Sequence, residues 1–282
     1  MSVISAQVKK MVELTTLHRH FHDYFRVVPA VTEKLVEEAQ RIRHQVYCQE
    51  LGWEPVKEDG LERDYYDQYS VHCLLRSVSR ESFIGCIRLV LPTDDGIGLH
   101  LPLQKSCGDK LYPGHPDPVA LANIEVAEVS RLAITSDFRR RRHEKGKVVS
   151  FPDQEAGLSD RRKFPYIPVA LYLGMMEIAA QRNINNLYFL TEPLLAKHFG
   201  RLGGDLELVG EGIEHRGLRK PYLMDVDAVM RKVRLVLRPL IRVIRKDIRH
   251  FYELSETGQP ISFIKRSPDG DPAKDQLIDY RD

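Results

Sequence analysis

The run from Ile124 to Thr135 is apolar enough for a strand inside a sheet, yet it carries Glu125, Glu128 and Arg131. Charges in the middle of a sheet must be paired or put to use, because an unpaired ion costs several kcal/mol to strip of water. The patterning on either side sets what surrounds this strand. A strand is expected at Phe25 to Val28, and then a helix capped by Thr32 with Leu35, Val36, Ala39, Ile42 and Val46 on one stripe. Val71 to Val78 and Phe83 to Leu91 read as a strand hairpin. Pro168 sits near the start of an apolar helix running to about Arg182, and Leu187 to Leu190 is the next strand. Pro193 opens a helix that stops at Gly203-Gly204, and strand candidates Leu206 to Val209 and Tyr222 to Val226 flank the sequence GIEHRG. An antiparallel meander followed by late crossover helices predicts an α+β fold, a mixed central sheet with helices on both faces.

At 282 residues, with 43% hydrophobic and 29% charged residues, the chain can bury one good core. We expect one main domain over 1–226, with a basic irregular insertion at 137–164. An amphipathic helix is expected over 227–255 and a polar, disordered tail over 256–282. The formal net charge of +2 gives no sign of a nucleic-acid partner. No run approaches a membrane span and the N-terminus has no signal-peptide core, so a cytoplasmic protein is expected. Cys48, Cys73, Cys86 and Cys107 fall in no metal-ligand spacing and read as buried thiols. His18, His20 and His22 alternate like ligands on a strand, but no further ligand set stands near them and no metal is expected.

Other charges share the anomaly of the central strand: Arg43 on the first helix, Asp64 and Asp67 in the loop after Trp53, and Arg88 in the third strand. If these elements are neighbours, three arginines and three carboxylates converge. Such a group could be a buried ion-pair network fixing the loop to the sheet, and it could equally be the wall of a substrate site. An amino-acid acceptor needs both a carboxylate for its ammonium and an arginine for its carboxylate.

The stretches RHQVYCQELGW, ERDYYD, GCIRLVLP and EVSRLAI resemble, in this order, the conserved blocks of the acyl-homoserine-lactone autoinducer synthases. The matching positions are Arg43, Tyr47, Trp53, Asp64, Asp67, Arg88, Glu128, Ser130 and Arg131. The resemblance covers roughly residues 25 to 135 and implies a GNAT-like fold, acyl carrier protein donors and S-adenosylmethionine as acceptor. FRVVPAVTEKLVEEAQRIRHQVYCQE, EVSRLAITSDFRRR and GEGIEHRGLRKPY also resemble the long-chain N-acyl amino acid synthases and the acyltransferases associated with PEP-CTERM/exosortase sorting. Tyr47 in place of phenylalanine, the insertion from Arg139 to Phe164 and the C-terminal helix depart from the autoinducer synthases and favour this second group.

Amide formation from a thioester requires an amine, whose pKa is about 8, to lose a proton. Glu128 is the candidate base, with Ser130 and Arg131 completing the catalytic group, while Arg43, Tyr47, Trp53, Asp64, Asp67 and Arg88 line the acceptor side. Ser130 shares a strand face with Glu128, and Arg131 points the other way unless a bulge re-aims it. Backbone N–H groups beside this strand could polarise the thioester, so no covalent nucleophile is required. A CoA site would place a glycine-rich turn after the strand, but Phe138 is followed there by Arg139, Arg140, Arg141 and Arg142. Six Lys/Arg against two Asp/Glu between Asp137 and Lys147 suit the acidic surface of an acyl carrier protein. Its acyl-phosphopantetheine would then be the donor of a long-chain fatty acyl group, with no permanently bound cofactor. Arg231, Arg234, Arg238, Arg242, Arg245 and Arg249 form a stripe opposite Val229, Val233, Leu240, Ile244 and Ile248. That helix is expected to pack on the domain, with peripheral contact to an anionic membrane as the alternative.

Overall fold

The structure, a computed structural model, describes residues 21–94, 99–113, 125–139, 167–201, 203–232, 237–265, 267 and 272–281. Its strands are β1 (Phe25–Pro29), β2 (Ser70–Ser77), β3 (Ser82–Val90), β4 (Thr93–Asp94), β5 (Leu99–His100), β6 (Val126–Ile134) and β7 (Asn186–Thr191). They continue as β8 (Glu207–Leu208), β9 (Ile213–Glu214), β10 (Leu218–Asp225), β11 (Ser262–Lys265) and β12 (Gln276–Asp279). The main sheet runs β1-β2-β3-β6-β7-β10-β8, with β9 paired to β10. The β6–β7 pair is parallel and its neighbours are antiparallel, which is the mixed sheet expected from the patterning.

Helix α1 (Glu33–Arg43) covers one face. Thr32 caps it, its Oγ1 accepting from the Leu35 N–H, and Leu35, Ala39, Ile42 and Val46 pack on Leu74, Cys86 and Ala133. The helix runs on as π-helical His44–Glu50, and this widened turn buries Arg43, His44, Val46, Tyr47 and Cys48 where a regular helix would offer a narrower stripe. On the other face α4 (Ile167–Gln181) and the long helix α7 (Arg238–Glu256) pack side by side, α4 over β2 and β3 and α7 against β1. Gly174 permits the close approach of α4 to the sheet, since a Cβ there would meet Val27 Cγ1 at 2.8 Å and Cys73 Sγ at 2.9 Å. The remaining helices are α2 (Pro102–Cys107), α3 (Ser136–Arg139), α5 (Pro193–Arg201) and α6 (Val226–Lys232).

The helix expected over 227–255 is described as α6 and α7, with 233–236 outside the described residues, and Pro239 stands in the first turn of α7, where its missing N–H costs nothing. One C-terminal expectation is corrected. The tail over 256–282 is not a disordered appendage in its described part. β11 and β12 pair antiparallel, and Phe263 and Tyr280 pack edge-on against Phe83, with Phe251 beside Phe263. Three aromatic anchors outweigh the polar composition that suggested disorder. α7 packs Leu240, Ile241, Ile244 and Ile248 into the main core and leaves Arg242 and Arg249 exposed, which is the packed arrangement of the expected stripe. Among the described residues no helix is long and apolar enough to cross a membrane.

Candidate functional site

β6 is irregular where the charges cluster. Cys86 faces Ala133 and Arg88 faces Ser130, so two residues of β6, Arg131 and Leu132, oppose the single Ile87 of β3. Arg131 takes φ 52°, a left-handed conformation that bulges ordinarily reserve for glycine and that few other residues adopt. This bulge undoes the alternation, so Arg131 joins Ser130 on the α1 face. Without it, Arg131 would point into the apolar layer under α4.

Three arginines and three carboxylates meet on that face. Arg43 on α1 holds Asp67 with both Nη atoms, at 2.6 and 2.7 Å, and also reaches the side chain and carbonyl of Glu62. Arg88 on β3 holds Asp64 with both Nη atoms, at 2.6 and 3.0 Å, and donates from Nε to Ser130 Oγ at 3.1 Å. Arg131 closes the set on Asp64 at 2.9 Å and Glu62 at 3.3 Å. The loop is shaped for this by its own caps: Asp64 accepts from the Tyr66 N–H and Asp67 from the Asp64 N–H. Burial pushes Asp67 upward, but the hydrogen bond and charge of Arg43, with Arg88 behind it, outweigh that and hold its carboxyl well below the usual range. Asp64 is likewise held down by Arg88 and Arg131 against the effect of burial. Buried His72 lies 3.6 Å from Asp67, and burial followed by the charge of Arg43 pushes it down to about 3, so it stays neutral.

Glu128 stands apart from this set. It is 4% exposed, faces Val90 on one side and Tyr188 on the other, and accepts from the Leu103 N–H at 2.6 Å. No arginine bonds it directly among the described residues. Burial raises its pKa to about 7, against the milder pull of that hydrogen bond and of Arg88 and Arg131. A carboxyl poised there can take a proton near neutral pH. Beside it the sheet opens. β7 pairs with β6 only from Val126 to Val129, so Ser130 to Ile134 run on without a partner on that side. Tyr47 enters this region, its hydroxyl donating to the Leu132 carbonyl at 2.9 Å and its ring stacked on Trp53 at 6.0 Å. Behind the gap, Val169, Tyr172, Phe199, Met224 and Val229 line a small apolar cavity of about 30 Å³.

The structure thus brings together Arg43, Tyr47, Trp53, Asp64, Asp67, Arg88, Ser130 and Arg131, with Glu128 beside them. One assignment is corrected. Arg139 is 5% exposed and pairs with Glu50 at 2.9 Å, while Glu50 also accepts from the Ser136 N–H, so Arg139 pins α3 to the π-helical turn and offers no docking surface. Arg140, Arg141 and Arg142 lie outside the described residues, as do His18 and His20. His22 pairs with Asp247 of α7 at 2.8 Å, and no metal-binding group of side chains occurs among the described residues. All four cysteines are buried free thiols.

Sequence reasoning missed Glu62, His72 and Glu50, and it read GIEHRG only as a connection, with no role for Arg216. Glu62 adjoins the ERDYYD block and could have been read with it. His72 alternates in phase with its apolar neighbours and gave no signal. Arg216 pairs with Glu54 at 2.6 Å and donates to the Trp53 carbonyl at 3.0 Å, which ties the β9–β10 turn to the loop over the site. Both are contacts between segments about 160 residues apart.

Residues 42–147 match the family model described as an acetyltransferase (GNAT) domain. An acyl-homoserine-lactone synthase of Aliivibrio fischeri is 34% identical over 89 residues, 32% of this chain and about half (46%) of that enzyme's length. One from Rhizobium radiobacter is 34% identical over 178 residues, covering 63% of this chain and 72% of that enzyme. In three dimensions the AHL synthase LasI superposes with a TM-score of 0.51 at 20% identity, over 76% of this chain and 93% of LasI, which agrees in fold. The 34% identity with the Rhizobium enzyme over 72% of its length, together with the GNAT domain over 42–147, places the chain in the acyl-homoserine-lactone synthase family, a family of GNAT-fold acyltransferases.

Proposed function

We propose that the protein is an N-acyltransferase that moves a long-chain fatty acyl group from the phosphopantetheine of an acyl carrier protein to the α-amine of an amino acid. The observation that carries this reading is Glu128, a buried carboxyl with a pKa raised to about 7 on the strand whose partner diverges. The acyl-pantetheine arm would enter the gap beyond Val129, with the chain directed toward the apolar layer around Tyr172 and Phe199. The amine nitrogen attacks the thioester carbonyl while Glu128 takes the N–H proton, directly or through a water. The tetrahedral intermediate then expels the pantetheine sulfur, which leaves as the thiol after taking up a proton, and an amide remains. Ser130 and Arg131 act as positioning residues in this scheme, because their polar atoms are engaged by Arg88 and by Glu62 and Asp64.

The donor assignment rests on the arginines after Phe138, now narrowed to Arg140, Arg141 and Arg142. A carrier protein presents acidic side chains that such a cluster would meet, whereas a free nucleotide would favour a glycine turn. The resemblance to the PEP-CTERM/exosortase-associated acyltransferases belongs to the same reading. The identity with the Rhizobium enzyme favours a second one, in which S-adenosylmethionine is acylated and cyclises to a lactone. Mass spectrometry of lipid extracts from expressing cells separates the two: the first reading expects an acyl amino acid mass that is absent from the empty-vector control, and an acyl lactone in its place overturns it.

A further inference from the structure

The inner network leaves no cation for the acceptor. Arg43, Arg88 and Arg131 face Glu62, Asp64 and Asp67, three positive charges against three negative, and each guanidinium is bound to a carboxylate. An amino acid entering beside Tyr47 and Trp53 would bring a carboxylate that none of the three can meet without breaking a pair that is already made. A cation for it has to come from elsewhere.

The β9–β10 hairpin supplies one. Arg216 takes φ 55° and Gly217 φ 98°, which folds the turn back so that two guanidiniums lie over the same indole: Arg216 5.5 Å and Arg219 5.9 Å from the Trp53 ring centre. Arg216 is paired with Glu54. Arg219 donates from Nε to the His215 carbonyl at 2.9 Å, and among the described residues no carboxylate pairs with it. Its Nη edge is therefore a positive group of this wall with no carboxylate partner among the described residues. His215 is held below the usual imidazole range by burial and then by the charges of Arg216, Arg219 and Arg131.

We infer that Arg219 at the start of β10, with Arg216 beside it on the β9–β10 turn, binds the carboxylate of the acceptor and so selects an amino acid with a free α-carboxylate. This rests on the amide-forming reading above and goes further by naming the group that selects the acceptor. S-adenosylmethionine carries the same carboxylate, so what disfavours it is the positive charge of its sulfonium. The face of Trp53, which would attract a sulfonium, is already occupied by two guanidiniums that repel it.

Trp53 is the single tryptophan of the chain, so its fluorescence reports this wall alone. The full-length protein is titrated with each common amino acid, with the amide of the tightest-binding one, and with S-adenosylmethionine. Arg219→Ala should weaken binding of that amino acid by about 10- to 100-fold, the range for losing a hydrogen bond to a charged group. It should leave binding of the amide unchanged, and Arg219→Lys should restore part of the affinity. Equal loss for acid and amide, or no loss at all, overturns the assignment of Arg219, and so does an absence of amino-acid quenching. Thermal melts confirm that each variant is folded. Acyl amino acid formation, followed separately by mass spectrometry, distinguishes the failures. If it persists while Arg219→Ala keeps its acid-over-amide preference, only this inference falls. If the wild type prefers S-adenosylmethionine and makes a lactone, the amide-forming reading falls too.

Discussion

Glu128 is a buried carboxyl and Asp67 a partly buried one on the same face of the sheet, and they are pushed in opposite directions. Asp67 receives both Nη atoms of Arg43 and stays ionised, whereas Glu128 has one backbone N–H and is left near neutrality. Their consequences for stability have opposite signs. Raised from 4.5 to about 7, Glu128 contributes stability below pH 4.5 that is lost as pH rises through 7. Asp64 and Asp67, held below 3.8, contribute stability above that value that is lost as pH falls. Glu128→Gln should therefore melt higher than the wild type at pH 8, by up to about 3 kcal/mol, and the gain should vanish near pH 4. Calorimetry across that range checks it, and a pH-independent difference would mean that Glu128 titrates normally. Arg43→Ala strips a fully buried clamp from Glu62 and Asp67 and should cost about 3–5 kcal/mol. Arg131→Ala, at 26% exposure, should cost distinctly less, and denaturant melts giving equal losses would contradict the network as described.

The charged residues of β6 were legible as an anomaly because polar side chains in an apolar strand demand partners. The bulge that brings Arg131 round to them was not, since an extra residue shows only against the register of β3. The π-helical turn after Arg43 escaped for a similar reason: its hydrophobic spacing fits an ordinary helix, and the widening is visible only in what it buries. Composition misread the C-terminal hairpin, where Phe263 and Tyr280 are two aromatics in a polar stretch that find Phe83 on the sheet. Ending the chain after Gly258 would uncover Phe83 and remove Ile261, which is 1% exposed. Such a truncation should lower stability by about 2–4 kcal/mol, roughly the transfer cost of one or two large apolar side chains. An unchanged melting temperature would show that the hairpin is an ornament.

For the molecule as a whole, the order of strands and helices could be read from hydrophobic period and turn residues, and the sheet follows it from Phe25 to Asp225. What could not be read was which arginine serves the surface and which the interior. Arg139 looked like its three successors but anchors α3 through Glu50, so donor docking now rests on the others. Charge reversal of Arg140 and Arg141 to Glu should slow acyl transfer from the carrier protein and flatten its salt dependence while sparing a short acyl-pantetheine thioester. Steady-state kinetics with both donors decides this, and an equal loss with both would remove the docking role. The central claim is that Glu128 takes the amine proton beside the opened strand. Its most direct test is the rate of acyl transfer by wild type and Glu128→Gln, purified and shown to be folded, with one carrier-bound donor across the pH range. The wild-type rate should rise with a limb near pH 7, and the variant should lose that limb and fall by about 10²- to 10⁴-fold. A folded variant turning over at nearly the wild-type rate would contradict the account.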